Sequence, residues 1–134
     1  MYMLTLNKQS DYGLIILNKL AKEKKIVPLS RLVEETKLPP RFLARIAAVL
    51  VKKKLLISRE GREGGYILSS QIDTLSLYDY LSIFEKNLTF LKCLTTKKKC
   101  KYDAVCCHKS NIKTKLNDIV LNQLKKITLQ EILE

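Results

Sequence analysis

Along residues 39–69, apolar positions recur first at helical spacing and then at strand spacing, so the change of period divides the stretch into two elements. Phe42, Leu43, Ile46, Ala47, Val49 and Leu50 make one face of a helix. Pro39 and Pro40 suit its start, because the first turn has no use for their missing N–H groups. Arg41, Ala44, Arg45, Ala48 and Lys52 fall on the opposite face. After Lys52-Lys53-Lys54 the pattern becomes Leu55, Leu56, Ile57, then Glu60-Gly61-Arg62-Glu63-Gly64-Gly65, then Tyr66, Ile67, Leu68. Branched and aromatic residues around a glycine-rich reversal predict a β-hairpin, with Arg59 at its base and Arg62 at its tip.

The rest of the chain is helical in period. Residues 1–6 are apolar and suit a tail or a short strand. Ser10 is the expected N-cap of a helix over 11–22, with Asp11 in its first turn and Leu14, Leu17, Leu20 and Ala21 inward. AKEKKI ends that pattern by charge, and Pro28 opens a second short helix, LSRLVEET, with Leu29, Leu32 and Val33 inward. Lys37-Leu38-Pro39 is the turn before the basic helix. Two short helices, the second basic, followed by a ribbon predict a winged helix-turn-helix.

A fourth helix is expected over 76–87, capped by Ser76, with Leu77, Tyr80, Leu81 and Phe84 on one side. Residues 88–109 read as an irregular segment. Over 110–126, Ile112, Leu116, Ile119, Val120 and Leu124 recur near heptad spacing, a long stripe that suits a partner helix. Thr128 with Glu131 then caps a short last helix over 129–133. The predicted fold is mainly α with a small β-hairpin wing and a long C-terminal helix. Residues 1–75 form the DNA-binding part and residues 76–134 a cysteine-loop and dimerisation region, both packed as one compact unit.

Charge narrows the choice of partner. Twenty-five Lys and Arg against thirteen Asp and Glu leave a net charge of +12 on 134 residues, spread along the chain. Such an excess suits a polyanion, and double-stranded DNA is the expected one. Arginines interleaved with alanines fit a helix face that enters a major groove, since guanidinium bonds guanine edges in bidentate fashion and small neighbours avoid clashes. Arg59 and Arg62 would reach phosphate or a minor groove. No run of about 18 apolar residues exists and no signal-peptide pattern opens the sequence, so a cytoplasmic protein without a membrane role is expected. There is no Cys-x2-Cys redox pair, no paired acid and base and no phosphate-cradling loop, which argues against an enzyme and against a small-molecule substrate.

All four cysteines and the single histidine lie between Cys93 and His108, among lysines. Cytoplasmic thiols seldom form structural disulfides, so the cluster asks for another use. Thiolates bind zinc and iron–sulfur clusters alike. The intervals from Cys93 to Cys100 to Cys106 are wider than a zinc knuckle and suit a bulkier cluster, while nearby lysines favour thiolate and would also make Cys106 and Cys107 oxidisable. Cluster, zinc and free thiol sensor all remain open on spacing alone.

Three motifs together resemble the Rrf-type winged-helix transcription regulators: SDYGL at the first helix, REGREGGYIL in the wing and the three-cysteine loop. SDYGLIIL, LPPRFLARI and the closing ITLQEIL are most similar to the branch that regulates SUF iron–sulfur cluster assembly. The resemblance covers almost the whole chain. It implies a homodimeric, cluster-sensing regulator, more often a repressor, that binds a palindromic operator and carries a [2Fe-2S] or [4Fe-4S] cluster easily lost in air. It also implies a long dimerisation helix after the cysteine loop. Carried over, Cys93, Cys100 and Cys106 would be ligands, and Arg41, Arg45, Lys52, Arg59 and Arg62 would lie on the DNA side. IscR-like members place a ligand histidine three residues after the last cysteine, where this chain has Lys109. NsrR-like members use an acidic residue of the other subunit's first helix, matched here by Asp11. Asp11 is therefore the first choice of fourth ligand, with His108 and Cys107 as alternatives.

Overall fold

A computed structural model describes residues 6–86, 88, 101–102, 104–106 and 112–133. Its elements are α1 (Lys8–Glu23), α2 (Leu29–Thr36), α3 (Pro40–Lys52), β1 (Leu56–Arg59), β2 (Gly65–Leu68), α4 (Leu77–Phe84), α5 (Ile112–Lys126) and α6 (Leu129–Ile132), with a 3-10 turn at Ser70–Asp73 before α4. The expected order of helices and ribbon is present, and the fold is a winged helix-turn-helix. The apolar tail expected over 1–6 lies outside the described residues apart from Leu6, which is exposed coil.

Helix α1 begins earlier than the sequence pattern suggests. Asn7 is the N-cap, its side-chain oxygen accepting from the Ser10 N–H at 2.8 Å, while Ser10 itself is buried in the first turn. The helix ends at Lys24, which adopts a left-handed φ of 52°; Lys37 does the same after α2 at 61°. Glycine is the usual residue for this conformation, so lysine hid both helix ends from a search for glycine stops. Ser76 caps α4 as expected, accepting from the Asp79 N–H at 3.1 Å, but α4 stops at Phe84 instead of running to residue 87. Thr128 caps α6 in the same way.

One apolar cluster holds the molecule together. Ile16, Leu17 and Leu20 of α1 meet Leu43, Ile46, Ala47 and Leu50 of α3, and Tyr80, Leu81 and Phe84 of α4 close over them. Leu129 of α6 is fully buried in the same cluster. The start of α4 and the end of α5 are stitched by backbone bonds: the Leu77 N–H donates to the Ile127 carbonyl at 2.7 Å and the Leu129 N–H to the Leu75 carbonyl at 2.8 Å. Lys125 adds its ammonium 4.8 Å from the centre of the Tyr78 ring. On α5, Val120 and Leu124 are half-buried, whereas Leu116 and Ile119 are 43 % and 58 % exposed, so part of the apolar stripe is not covered by the described residues.

Candidate nucleic-acid interface and cysteine segment

Helix α3 is amphipathic in the sense its sequence dictates. Leu43, Ile46, Ala47 and Leu50 are buried, and Arg41, Arg45, Ala48 and Lys52 are exposed along the other side, with Ala44 half-buried between them. Phe42 leans on Tyr12 of α1, ring edge to ring face, centroids 5.4 Å apart, which fixes the rotation of α3 about its axis.

The ribbon pairs Leu56 with Leu68, Ile57 with Ile67, Ser58 with Tyr66 and Arg59 with Gly65. Arg59 therefore sits in the last pair, at the turn end rather than the base, three residues before exposed Arg62 in the loop. Val27, between α1 and α2, adds a third strand position: its N–H donates to the Tyr66 carbonyl and the Tyr66 N–H to the Val27 carbonyl, both at 2.9 Å. Gly65 makes this possible. At φ 151°, a Cβ there would run into the Val27 carbonyl oxygen. The pattern reading missed Val27, although its place before Pro28 biases it toward extended backbone.

Few basic side chains are paired with a carboxylate among the described residues. Arg31 of α2 donates to Glu35 and to Glu23 of α1, each at 2.8 Å, and Lys19 reaches Glu35 at 2.7 Å. The Lys19 and Arg31 hydrogen bonds hold the Glu35 carboxyl below its ordinary range, and Glu35 raises the Arg31 guanidinium in return. These cations are engaged in holding α2 against α1. Arg41, Arg45, Lys52, Arg59 and Arg62 make no ion pair among the described residues and all are exposed on α3 and the ribbon.

Of the residues expected to hold a cluster, Asp11 and Cys106 are described; Cys93, Cys100, Cys107 and His108 lie outside the described residues. Asp11 is exposed in the first turn of α1, and its carboxylate makes no hydrogen bond or ion pair among the described residues. It borders an open groove of about 210 Å³ with Leu14, Ile15, Asn18, Ile132 and Leu133. Cys106 is a half-exposed free thiol. Beneath Asp11, the buried Tyr80 hydroxyl donates to the Ser10 carbonyl at 2.6 Å, and burial, with the Asp11 charge, pushes its pKa well above the ordinary tyrosine range. The hydroxyl occupies the space beside Gly13, where a Cβ would strike it.

Comparison with known proteins agrees with this architecture. A protein of Aquifex aeolicus described as an HTH-type transcriptional regulator is 29% identical over 90 residues, 66% of this chain and 62% of its own length. The chain thus spans a little under two thirds of that curated relative. CymR, the global cysteine regulator of B. subtilis, superposes with a TM-score of 0.75 at 22% identity, over 98% of this chain and 97% of its own. IscR of T. potens superposes with a TM-score of 0.69 at 23% identity, over 97% and 86%. No helix among the described residues is long and apolar enough to cross a membrane. Rrf2 regulators bind DNA, are typically dimeric and are not enzymes. Residues 6–134 match Rrf2, described as an iron-dependent transcriptional regulator, and the chain belongs to that family.

Proposed function

We propose that this transcriptional regulator works as a homodimer that reads a palindromic operator, α3 entering the major groove and the ribbon gripping the flanking backbone. The observation that carries the reading is that Arg41, Arg45, Arg59 and Arg62, on α3 and the ribbon, are all exposed and make no ion pair among the described residues. Arg45 lies a turn into α3, where a helix reaches base edges; Arg62, in the loop, meets phosphate or a minor groove. Leu116 and Ile119, exposed on α5, supply an apolar face for the second subunit.

Regulation would come from an iron–sulfur cluster held by Cys93, Cys100 and Cys106, with Asp11 of the other subunit as fourth ligand and His108 or Cys107 as alternatives. The described members of that set suit the role chemically: Cys106 is an unbridged thiol and Asp11 an unengaged carboxylate. The family's description as iron-dependent and the likeness to IscR support it. A bound cluster would supply a redox- and nitric-oxide-sensitive tie between the two subunits. The chain's own residues do the rest, by binding duplex or releasing it as the cysteine segment is drawn in or freed. In a second reading, favoured by the free Cys106 thiol and the likeness to CymR, the same segment responds through zinc or thiol oxidation.

Anaerobic purification with a visible spectrum and iron and sulfide assays decides between them. A coloured protein with matched iron and sulfide is expected; a colourless protein with stoichiometric zinc would overturn the cluster. Operator binding should weaken by about 0.9 log unit per log unit of salt for each phosphate neutralised. A flat salt response would overturn the DNA face.

A further inference from the structure

The first turn of α1, with its cap Asn7, is joined to α4 and its end at Glu85 by four hydrogen bonds. Glu85, the residue that ends α4, accepts at Oε1 from the Asn7 N–H at 2.9 Å and from the Ser10 hydroxyl at 3.1 Å. The Asn7 amide donates to the Phe84 carbonyl at 2.9 Å, and the Tyr80 hydroxyl to the Ser10 carbonyl at 2.6 Å. One carboxylate oxygen thus receives two donors at the α1 N-terminus, which raises its value above that of neutral bonds and adds favourable charge at the positive end of the helix.

The place of this junction gives it more than a packing role. Cys93 follows Glu85 by eight positions in the sequence. On the other side, α1 carries Tyr12, whose ring meets Phe42 beside Arg41 of α3. Asp11 projects from the same turn that Glu85 holds. We infer that Glu85 is a positioning residue: its clamp on Asn7 and Ser10 sets the first turn of α1 and, through the Tyr12–Phe42 contact, the seating of the recognition helix. This rests on the DNA-binding reading of α3, and its mechanical half can be tested without DNA.

Native-state hydrogen exchange of the full chain, followed across low denaturant, separates local opening from global unfolding. Glu85→Ala should speed exchange in the first turn of α1 and also in α3 by about tenfold, the factor that one hydrogen bond to a charged group is worth. Ser10→Ala, which leaves the Asn7 bond, should do the same to a smaller extent and keeps the test open if Glu85→Ala folds poorly. Glu85→Gln, which retains an oxygen acceptor, should return most of the protection. Glu23→Gln, at the α1–α2 ion pair, is the control and should leave α3 unchanged. Acceleration confined to α1, or equal acceleration of α3 in the control, would overturn the coupling. In parallel, binding of each variant to a random-sequence duplex should fall in the same order as α3 protection. Wild-type protein that binds no duplex would overturn the DNA reading and the functional half of the inference, while the exchange data would still decide the clamp.

Discussion

Gly13 and Tyr80 should be coupled strongly enough to change the sign of a mutation. A Cβ at Gly13 would strike the Tyr80 hydroxyl, while its next neighbours, Phe84 Cε2 and Tyr80 Cζ, stand at 3.4 Å, the edge of ordinary contact. In the wild-type background, Gly13→Ala gains about 1 kcal/mol of helix propensity. Against that, overpacking costs about 1–3 kcal/mol. Displacing the buried hydroxyl from the Ser10 carbonyl costs about 1–3 kcal/mol more. The net is a loss of roughly 1–5 kcal/mol. Tyr80→Phe alone should cost about 0.5–1.5 kcal/mol, because the Ser10 carbonyl keeps its place in the α1 ladder. In the Tyr80→Phe background the obstructing atom is gone, and Gly13→Ala should be neutral or stabilising by up to about 1 kcal/mol. Urea unfolding followed by far-ultraviolet circular dichroism measures all four corners of the cycle, at one protomer concentration so that subunit association does not vary. The chain has no tryptophan, which makes circular dichroism the better signal. Equal effects of Gly13→Ala in both backgrounds, within about 0.5 kcal/mol, would refute the steric account.

Other outcomes follow from the same geometry. Arg45→Ala should cost about 1–3 kcal/mol at the preferred operator and relax base preference, whereas Arg62→Ala should weaken specific and random duplex alike and reduce the salt slope by about 1; anisotropy titrations over a range of salt would show it. Gly65→Ala should break the Val27 bridge and loosen the ribbon, seen as lost duplex binding with helical circular dichroism retained. Lys37→Gly should stabilise by about 0.5–1 kcal/mol, because glycine takes the left-handed φ of 61° without steric cost; an unchanged urea midpoint would count against it. The Tyr80 hydroxyl resists ionisation in the fold, so its contribution is complete below the ordinary tyrosine value near 10 and is lost as pH rises through the higher folded value. Tyr80→Phe should therefore flatten the alkaline limb of stability against pH, and a limb of unchanged steepness would contradict the assignment.

The parts of the fold legible in the sequence are those set by neighbours a few residues apart. Apolar spacing placed α2, α3 and the ribbon, and Ser76 and Thr128 announced the caps of α4 and α6, because each depends on contacts within one turn. The errors arose where a distant partner decides. Ser10 looks like a cap, yet its hydroxyl is taken by Glu85, 75 positions away, and Asn7 caps the helix in its place. Val27 becomes a strand residue only because Tyr66 lies beside it, and α4 ends at Phe84 where Glu85 turns toward α1. On the DNA side, exposure follows from helical period, so Arg41 and Arg45 were readable; Arg59 was misplaced because ribbon register depends on where the turn closes. The cysteine spacing suggests ligand chemistry, but the mutual placement of Cys93 and Cys100 with Cys106 lies outside the described residues.

Net charge alone is a weak guide to partner, and the placement of arginine makes it a stronger one. Exposed lysines without a carboxylate partner among the described residues, such as Lys22, Lys25 and Lys126, are spread over several elements, but four of the chain's five arginines lie on α3 and the ribbon. Here Lys19 and Arg31 are drawn into a carboxylate network between α1 and α2, on the scaffold that carries the recognition helix. Arg41, Arg45, Arg59 and Arg62 make no ion pair among the described residues, and Arg41 and Arg45 sit on a helix whose other face is fixed by the core. Arginine held on a rigid element loses less freedom on binding than lysine on a loose tail, and its planar donors suit both guanine edges and phosphate. The placement of these arginines, rather than any difference in pairing, therefore points to a binding face organised before the duplex arrives. It also explains why the junction at Glu85 matters: a small change in the seating of α3 against α1 moves two of those arginines at once, while the Lys19–Arg31–Glu35 network leaves α2 in place.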